Sequence, residues 1–151
     1  AGGKEEAGKA LRVPGTNPFF PLLHGAQGNR FLELANKLPF EVFLMNTGWV
    51  GGQDGSEYSK KVKIRHSSAV VKGIAENAIK WERDDTFGYD VATQVAGMNN
   101  GDHFLLRPRE WYADTKRHSE YDEIASSLRL GRREHLMKYP DLENELIEAI
   151  S

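Results

Sequence analysis

The 151-residue chain has no cysteine, which excludes disulfides and thiolate metal sites and suits a reducing compartment, with the cytoplasm as the expected location. It has no apolar run approaching the roughly 20 residues needed to cross a bilayer. Its first residues, Ala1-Gly-Gly-Lys-Glu-Glu6, lack the apolar core of a secretion signal. An excess of one charge is missing too: 20 Lys and Arg against 22 Asp and Glu leave a net charge of −2. No general field therefore draws nucleic acid or an anionic membrane, and any anion binding has to be local. Repeats and low-complexity tracts are absent. The five histidines, at 24, 66, 103, 118 and 135, show no H-E-x-x-H or similar ligand spacing, so no metal site is expected. No Ser-His-Asp order with a nucleophile elbow is present, and Asp84-Asp85 fits a solvated turn better than a Mg²⁺ site. No catalytic residue can be assigned.

What remains is a chain of one-domain size, or one piece of a larger domain. With 39% hydrophobic and 28% charged residues, it is somewhat polar for a free-standing globule, as a large solvated surface or a missing partner surface would make it. The start at Ala rather than Met fits processing or an internal boundary with further residues upstream.

Residues 1–18 carry Gly, Pro and charge without periodicity and read as an arm, with 19–151 as the folded part. Phe19-Phe-Pro-Leu-Leu23 is a short apolar segment expected to be buried. Phe31, Leu34, Ala35 and Leu38 share a helix face, with Asn29 as N-cap and Pro39 as the stop. Val42 to Met45 fits an interior strand covered on both faces. Val62 and Ile64 alternate with Lys61, Lys63 and Arg65, the period of a half-exposed strand with its cations on one face. Ser67 or Ser68 is expected to cap a helix through Val70, Val71, Ile74, Ala75, Ala78 and Ile79, ending near Trp81. Asp84 to Gly101 is rich in turn residues, and Phe104-Leu-Leu106 reads as a short strand. Tyr121, Ile124, Ala125 and Leu128 begin a helix reaching about Tyr139, and Pro140 opens a last one.

The informative feature is the passage from the apolar run at Val42 into Asn46-Thr-Gly-Trp-Val-Gly-Gly52, followed by Ser59-Lys-Lys-Val-Lys-Ile-Arg65. A strand emptying into a Gly-rich loop with cations behind it is an arrangement that holds phosphorylated ligands. Glycines 48, 51, 52 and 55 spell neither G-x-x-x-x-G-K-[ST] nor G-x-G-x-x-G. A plain turn between strands, with a solvated charged edge, is the competing reading. Asn46, Thr47 and Trp49 favour a site, because polar groups and an indole at a strand's C-terminal end stand where open α/β sheets bind ligands.

Phe19-Phe-Pro-Leu-Leu-His24, Phe43-Leu-Met-Asn-Thr-Gly-Trp-Val-Gly-Gly52 and Lys60-Lys-Val-Lys-Ile-Arg-His-Ser-Ser-Ala-Val70 resemble, in order, the C-terminal part of ATP-dependent phosphoenolpyruvate carboxykinases. Thr86-Phe87 to Gly97 and Leu105-Leu-Arg-Pro-Arg109 resemble later family segments, and Ala1-Gly-Gly-Lys-Glu5 its mobile lid region. The resemblance implies a reaction converting oxaloacetate and ATP to phosphoenolpyruvate, ADP and CO₂ in gluconeogenesis, with Mg²⁺ and a second ion such as Mn²⁺. It implies that this stretch supplies the adenine and ribose side of the nucleotide pocket. Lys61 stands where the family has a nucleotide-contacting Arg, Val62 where an apolar residue meets the base, and Ser67 where a Thr lies near the adenine. Asn46, Thr47, Gly48 and Trp49 form the adjoining strand-end loop. Lys61 in place of Arg removes a planar fork, Ser59-Lys60 replaces a Gly, and Gln53 to Tyr58 lengthens the loop. The family's phosphate loop, metal ligands and oxaloacetate-binding Arg lie upstream of the matched region, so the upstream catalytic region of the same protein is the expected partner, with ATP and ADP.

The expected fold is α/β, a small mixed sheet on Val42–Met45 and Lys61–Arg65 with flanking helices and a helical C-terminus. The expected role is the C-terminal nucleotide-binding portion of such an enzyme, inactive by itself, with no nucleic-acid or membrane partner. The alternative is a non-catalytic structural or protein-interaction domain with the same fold.

Overall fold

A computed structural model describes residues 21–52 and 55–149. The expected arm at 1–18 and the lid resemblance of Gly3-Lys4-Glu5 lie outside the described residues. The structure is α/β in content, and its described residues divide into two compact units, one on either side of the boundaries at 41/42 and 127/128: the stretch to 41 together with that from 128, and residues 42–127.

In the first unit, α1 (His24–Lys37) packs against the segment leading into α5 (Asn144–Glu148). The approach is close because Gly25 and Gly28 lack side chains: a Cβ at Gly28 would stand 2.7 Å from Leu142 Cδ1, and one at Gly25 would strike the Asp141 carboxylate. Asn29, expected to cap the helix, sits inside it. Its amide Nδ2 donates to the Asp141 carbonyl at 2.7 Å and its Oδ1 accepts the Glu143 N–H at 2.9 Å. It therefore clamps the turn before α5, satisfying a backbone donor at that helix's start. Leu22 and Leu23, expected to be buried, are exposed.

The second unit holds two antiparallel pairs, not one mixed sheet. Strands β1 (Trp49–Val50) and β2 (Lys60–Lys61) form a minimal hairpin. Strands β3 (Ile79–Arg83) and β4 (Asp90–Val95) form a longer one, in register from Ile79 opposite Val95 to Arg83 opposite Asp90, with an irregularity between Lys80 and Trp81. Helix α2 (Ile64–Ala75) packs on that hairpin through Gly73, where a Cβ would lie 2.8 Å from Ile79 Cγ1 and 3.6 Å from Val95 Cγ1.

Three expectations fail here for local reasons. Val42–Met45 forms no strand: among the described residues nothing pairs with its backbone, and Val42 and Leu44 are 58% and 88% exposed. An apolar run cannot become an interior strand without neighbours to hydrogen-bond. The strand expected at Lys61–Arg65 stops at Lys61, because Lys63 already serves as the N-cap of α2. That helix does not reach Trp81: Asn77 adopts φ 52°, the left-handed conformation that terminates helices and that Asn tolerates.

Residues 100–105, expected as a strand at Phe104, form a 3₁₀ helix (Asn100–Leu105), followed by α3 (Pro108–Asp114), with Pro108 at its first position. Helix α4 (His118–Leu136) follows. Tyr112, Tyr121 and Ala125 form a buried cluster with Phe87 packed against it. Burial pushes the Tyr121 hydroxyl pKa up, against the hydrogen bond from Thr86. Asp84 behaves as the turn residue expected, its Oδ1 accepting the Phe87 N–H at 2.8 Å.

Candidate functional site

The β1–β2 hairpin brings Gly48, Trp49, Lys61 and Val62 together. Trp49 stands opposite Lys61, so both side chains leave the same face of the ribbon. The Val62 N–H extends the ladder to the Gly48 carbonyl at 2.9 Å. The Lys61 ammonium lies 5.1 Å from the centroid of the Trp49 ring, a cation–π distance. Lys61 is exposed and Trp49 and Val62 are half-buried, whereas Val50, on the opposite face, is buried.

Asn46 shapes the approach to this pair. Its Oδ1 accepts the Gly48 N–H at 2.8 Å and its Nδ2 donates to the Trp49 carbonyl at 3.2 Å, an Asx-type turn that spends the side chain on backbone. Thr47 is exposed. Ser67 lies in the first turns of α2, its N–H directed to the Lys63 carbonyl at 3.3 Å, so the half-buried hydroxyl is what it offers a ligand. The cations do not share one strand face: Arg65 is helical and pairs with Asp102 at 3.0 Å. Burial acts to raise the Asp102 carboxyl pKa, but the hydrogen bond and charge of Arg65, aided by His66, carry it below its ordinary value.

Two residues that the sequence did not reveal, Trp111 and Arg117, bond the carbonyls of the loop. Trp111 Nε1 donates to the Tyr58 carbonyl at 2.9 Å. Arg117 Nη1 donates to the Gly51 carbonyl at 2.7 Å, and its guanidinium lies 5.0 Å from the Tyr58 ring centroid and 4.5 Å from that of Tyr112. Glu120, hydrogen-bonded to Arg117, raises the guanidinium pKa further, and its own carboxyl is lowered by the same bond. Gly51 has φ 89°, and a Cβ there would stand 2.6 Å from both Trp111 Nε1 and the Tyr58 carbonyl oxygen. Only glycine fits, on conformational and on steric grounds. Arg117 is separated from Gly51 by 66 residues, and nothing local in a single sequence signals that contact.

A family model described as "Phosphoenolpyruvate carboxykinase" matches residues 13–101, more than half of the chain. The chain belongs to the phosphoenolpyruvate carboxykinase family. The match contains every candidate residue of the hairpin and of α2, and stops short of Trp111 and Arg117. Among relatives named "Phosphoenolpyruvate carboxykinase (ATP)", the protein of Thermus thermophilus is 32% identical over 135 residues, 87% of this chain and 24% of its own length. That of Novosphingobium aromaticivorans is 32% identical over 114 residues, 74% of this chain and 20% of its own length. That of Caldanaerobacter subterraneus is 28% identical over 136 residues, 87% of this chain and 24% of its own length. The chain thus spans about a fifth to a quarter of the length of these relatives. No helix among the described residues is long and apolar enough to cross a membrane.

Proposed function

We propose that the chain is the C-terminal nucleotide-binding portion of an ATP-dependent phosphoenolpyruvate carboxykinase of the cytoplasm, contributing adenine and ribose contacts to a reaction carried out by an upstream region. The whole enzyme would convert oxaloacetate and ATP to phosphoenolpyruvate, ADP and CO₂. The observation that supports this best is the Trp49–Lys61 pair: an exposed cation and an indole on one face of a hairpin whose loop is held rigidly from below. Val62 would give the base an apolar contact, Lys61 would meet ribose or phosphate oxygens, and the Ser67 hydroxyl would reach the edge of the adenine. Because Lys61 covers one face of the indole, a base stacking on Trp49 would have to use the other face or displace the ammonium.

Phosphoryl transfer depends on placement and on charge around the phosphates, so a wall that fixes the adenosine acts through orientation. The Mg²⁺ and Mn²⁺ of the complete enzyme would be held by the upstream region, where the family resemblance puts the metal ligands and the phosphate loop. This chain alone is accordingly proposed to be inactive. Exposed Val42 to Met45 fits the same proposal, as the surface that the upstream region covers.

Calorimetry of the full natural polypeptide with ATP and ADP tests the reading. Lys61→Glu, which reverses the charge at the wall, should weaken binding by about 10-fold or more; unchanged affinity sinks the proposal. Exposed Leu130 and Met137 on and beyond α4 favour a second reading, a protein-interaction domain without nucleotide. It predicts that the full polypeptide binds neither ATP nor ADP.

A further inference from the structure

The corner between β2 and α2 is closed by a histidine. His66 is 5% exposed, and both ring nitrogens are engaged. Nδ1 accepts the backbone N–H of Lys63 at 3.0 Å, and Nε2 lies 3.2 Å from Asp102 Oδ2. A nitrogen that accepts carries no hydrogen, so the proton of the neutral ring sits on Nε2 and is donated to the carboxylate. Arg65 Nε also lies 3.0 Å from Nε2, but a protonated Nε2 has no lone pair to offer it. The productive bond of Arg65 is therefore the one from Nη2 to Asp102, at 3.0 Å.

At the third helical position, the imidazole does for the N-cap residue what Glu or Gln does in a capping box. It does one thing more, because Nε2 ties the start of α2 to the 3₁₀ helix that carries Asp102. Lys61 and Val62 come immediately before the capped Lys63, and Ser67 immediately after His66. The clamp thus lies between the candidate nucleotide residues of β2 and the one on α2.

We propose that His66, held by Asp102, is a positioning residue of the nucleotide wall, acting through the Lys63 backbone to fix Lys61 and Val62 relative to Ser67. The inference rests on the nucleotide-binding reading above. The charged groups facing the ring are Arg65 from its own helix and Asp102 from the 3₁₀ helix.

The test is ADP binding by the full natural polypeptide, measured by calorimetry at neutral pH for the wild type, His66→Gln and His66→Leu. Gln keeps the acceptor for the Lys63 N–H and should bind within about 3-fold of wild type at neutral pH, whereas Leu should bind about 10-fold more weakly. Should His66→Leu not fold, the Gln variant decides alone, a loss of about 10-fold overturning the inference. Wild-type affinity in the Leu variant, or a Gln variant as weak as Leu, overturns it likewise. A wild type that binds no ADP overturns the nucleotide reading itself, which is a distinguishable result.

Discussion

Strand β3 and the run Val42–Met45 show opposite outcomes from opposite sequences. β3 reads Ile79-Lys-Trp-Glu-Arg83, mixed in polarity and exposed over most of its length, yet it is a strand. Val42-Phe-Leu-Met45 is uniformly apolar and forms none. The difference is a partner. β4 offers β3 a ladder over its whole length and α2 covers its first residue, while among the described residues no backbone pairs with the apolar run, whose Phe43 ring meets that of Trp81 at 5.6 Å. Strand propensity is largely a measure of packing against neighbours, so it nominates a segment and the neighbours decide.

The most damaging way to test the paired region is Val95→Ala. Val95 is 4% exposed and touches the face where Gly73 admits α2, so the loss should be about 2 kcal/mol, read as a lower urea midpoint. Thr93→Val comes next, because the Thr93 hydroxyl donates to the Lys80 carbonyl at 3.2 Å beside the ladder's irregularity. It should cost about 1 kcal/mol by the same measurement. Glu33→Gln on α1 should do less, since its ion pairs are at the surface. The hydrogen bond from Lys37, then that from Arg30, hold the Glu33 carboxyl at about 2 instead of 4.5. A lowered carboxyl stabilises above its unfolded value and loses that contribution as pH falls, here from 4.5 toward about 2. Urea midpoints of wild type and Glu33→Gln should therefore converge over that window.

Leu44→Lys completes the comparison with the smallest effect. In the isolated chain it should change stability by less than about 0.5 kcal/mol, because Leu44 touches little. In the full polypeptide the same change should lower the melting temperature by several degrees. Equal, small effects in both would mean that nothing covers the run.

Helical stretches were the more legible part of the fold, since apolar spacing located α1, α2 and α4. Their ends were not, because those depend on His66 capping Lys63 and on the φ of Asn77. The start of β3 reads as the end of the preceding helix, because Ala78 and Ile79 continue its apolar spacing, and β4 is hidden by turn residues that belong to the hairpin connection. The Trp49–Lys61 loop could be read from the glycines and the cations behind them. Its supports, Trp111 and Arg117, could not, since they act across 53 and 66 residues and a lone sequence carries no trace of such pairings.

Photolabelling of the full natural polypeptide with 8-azido-ATP, followed by peptide mass mapping, tests the central claim most directly. Labelling should fall within residues 46–67 and be displaced by ADP. Displaceable labelling confined to any other part of the protein would contradict the assignment of this corner as the adenosine wall.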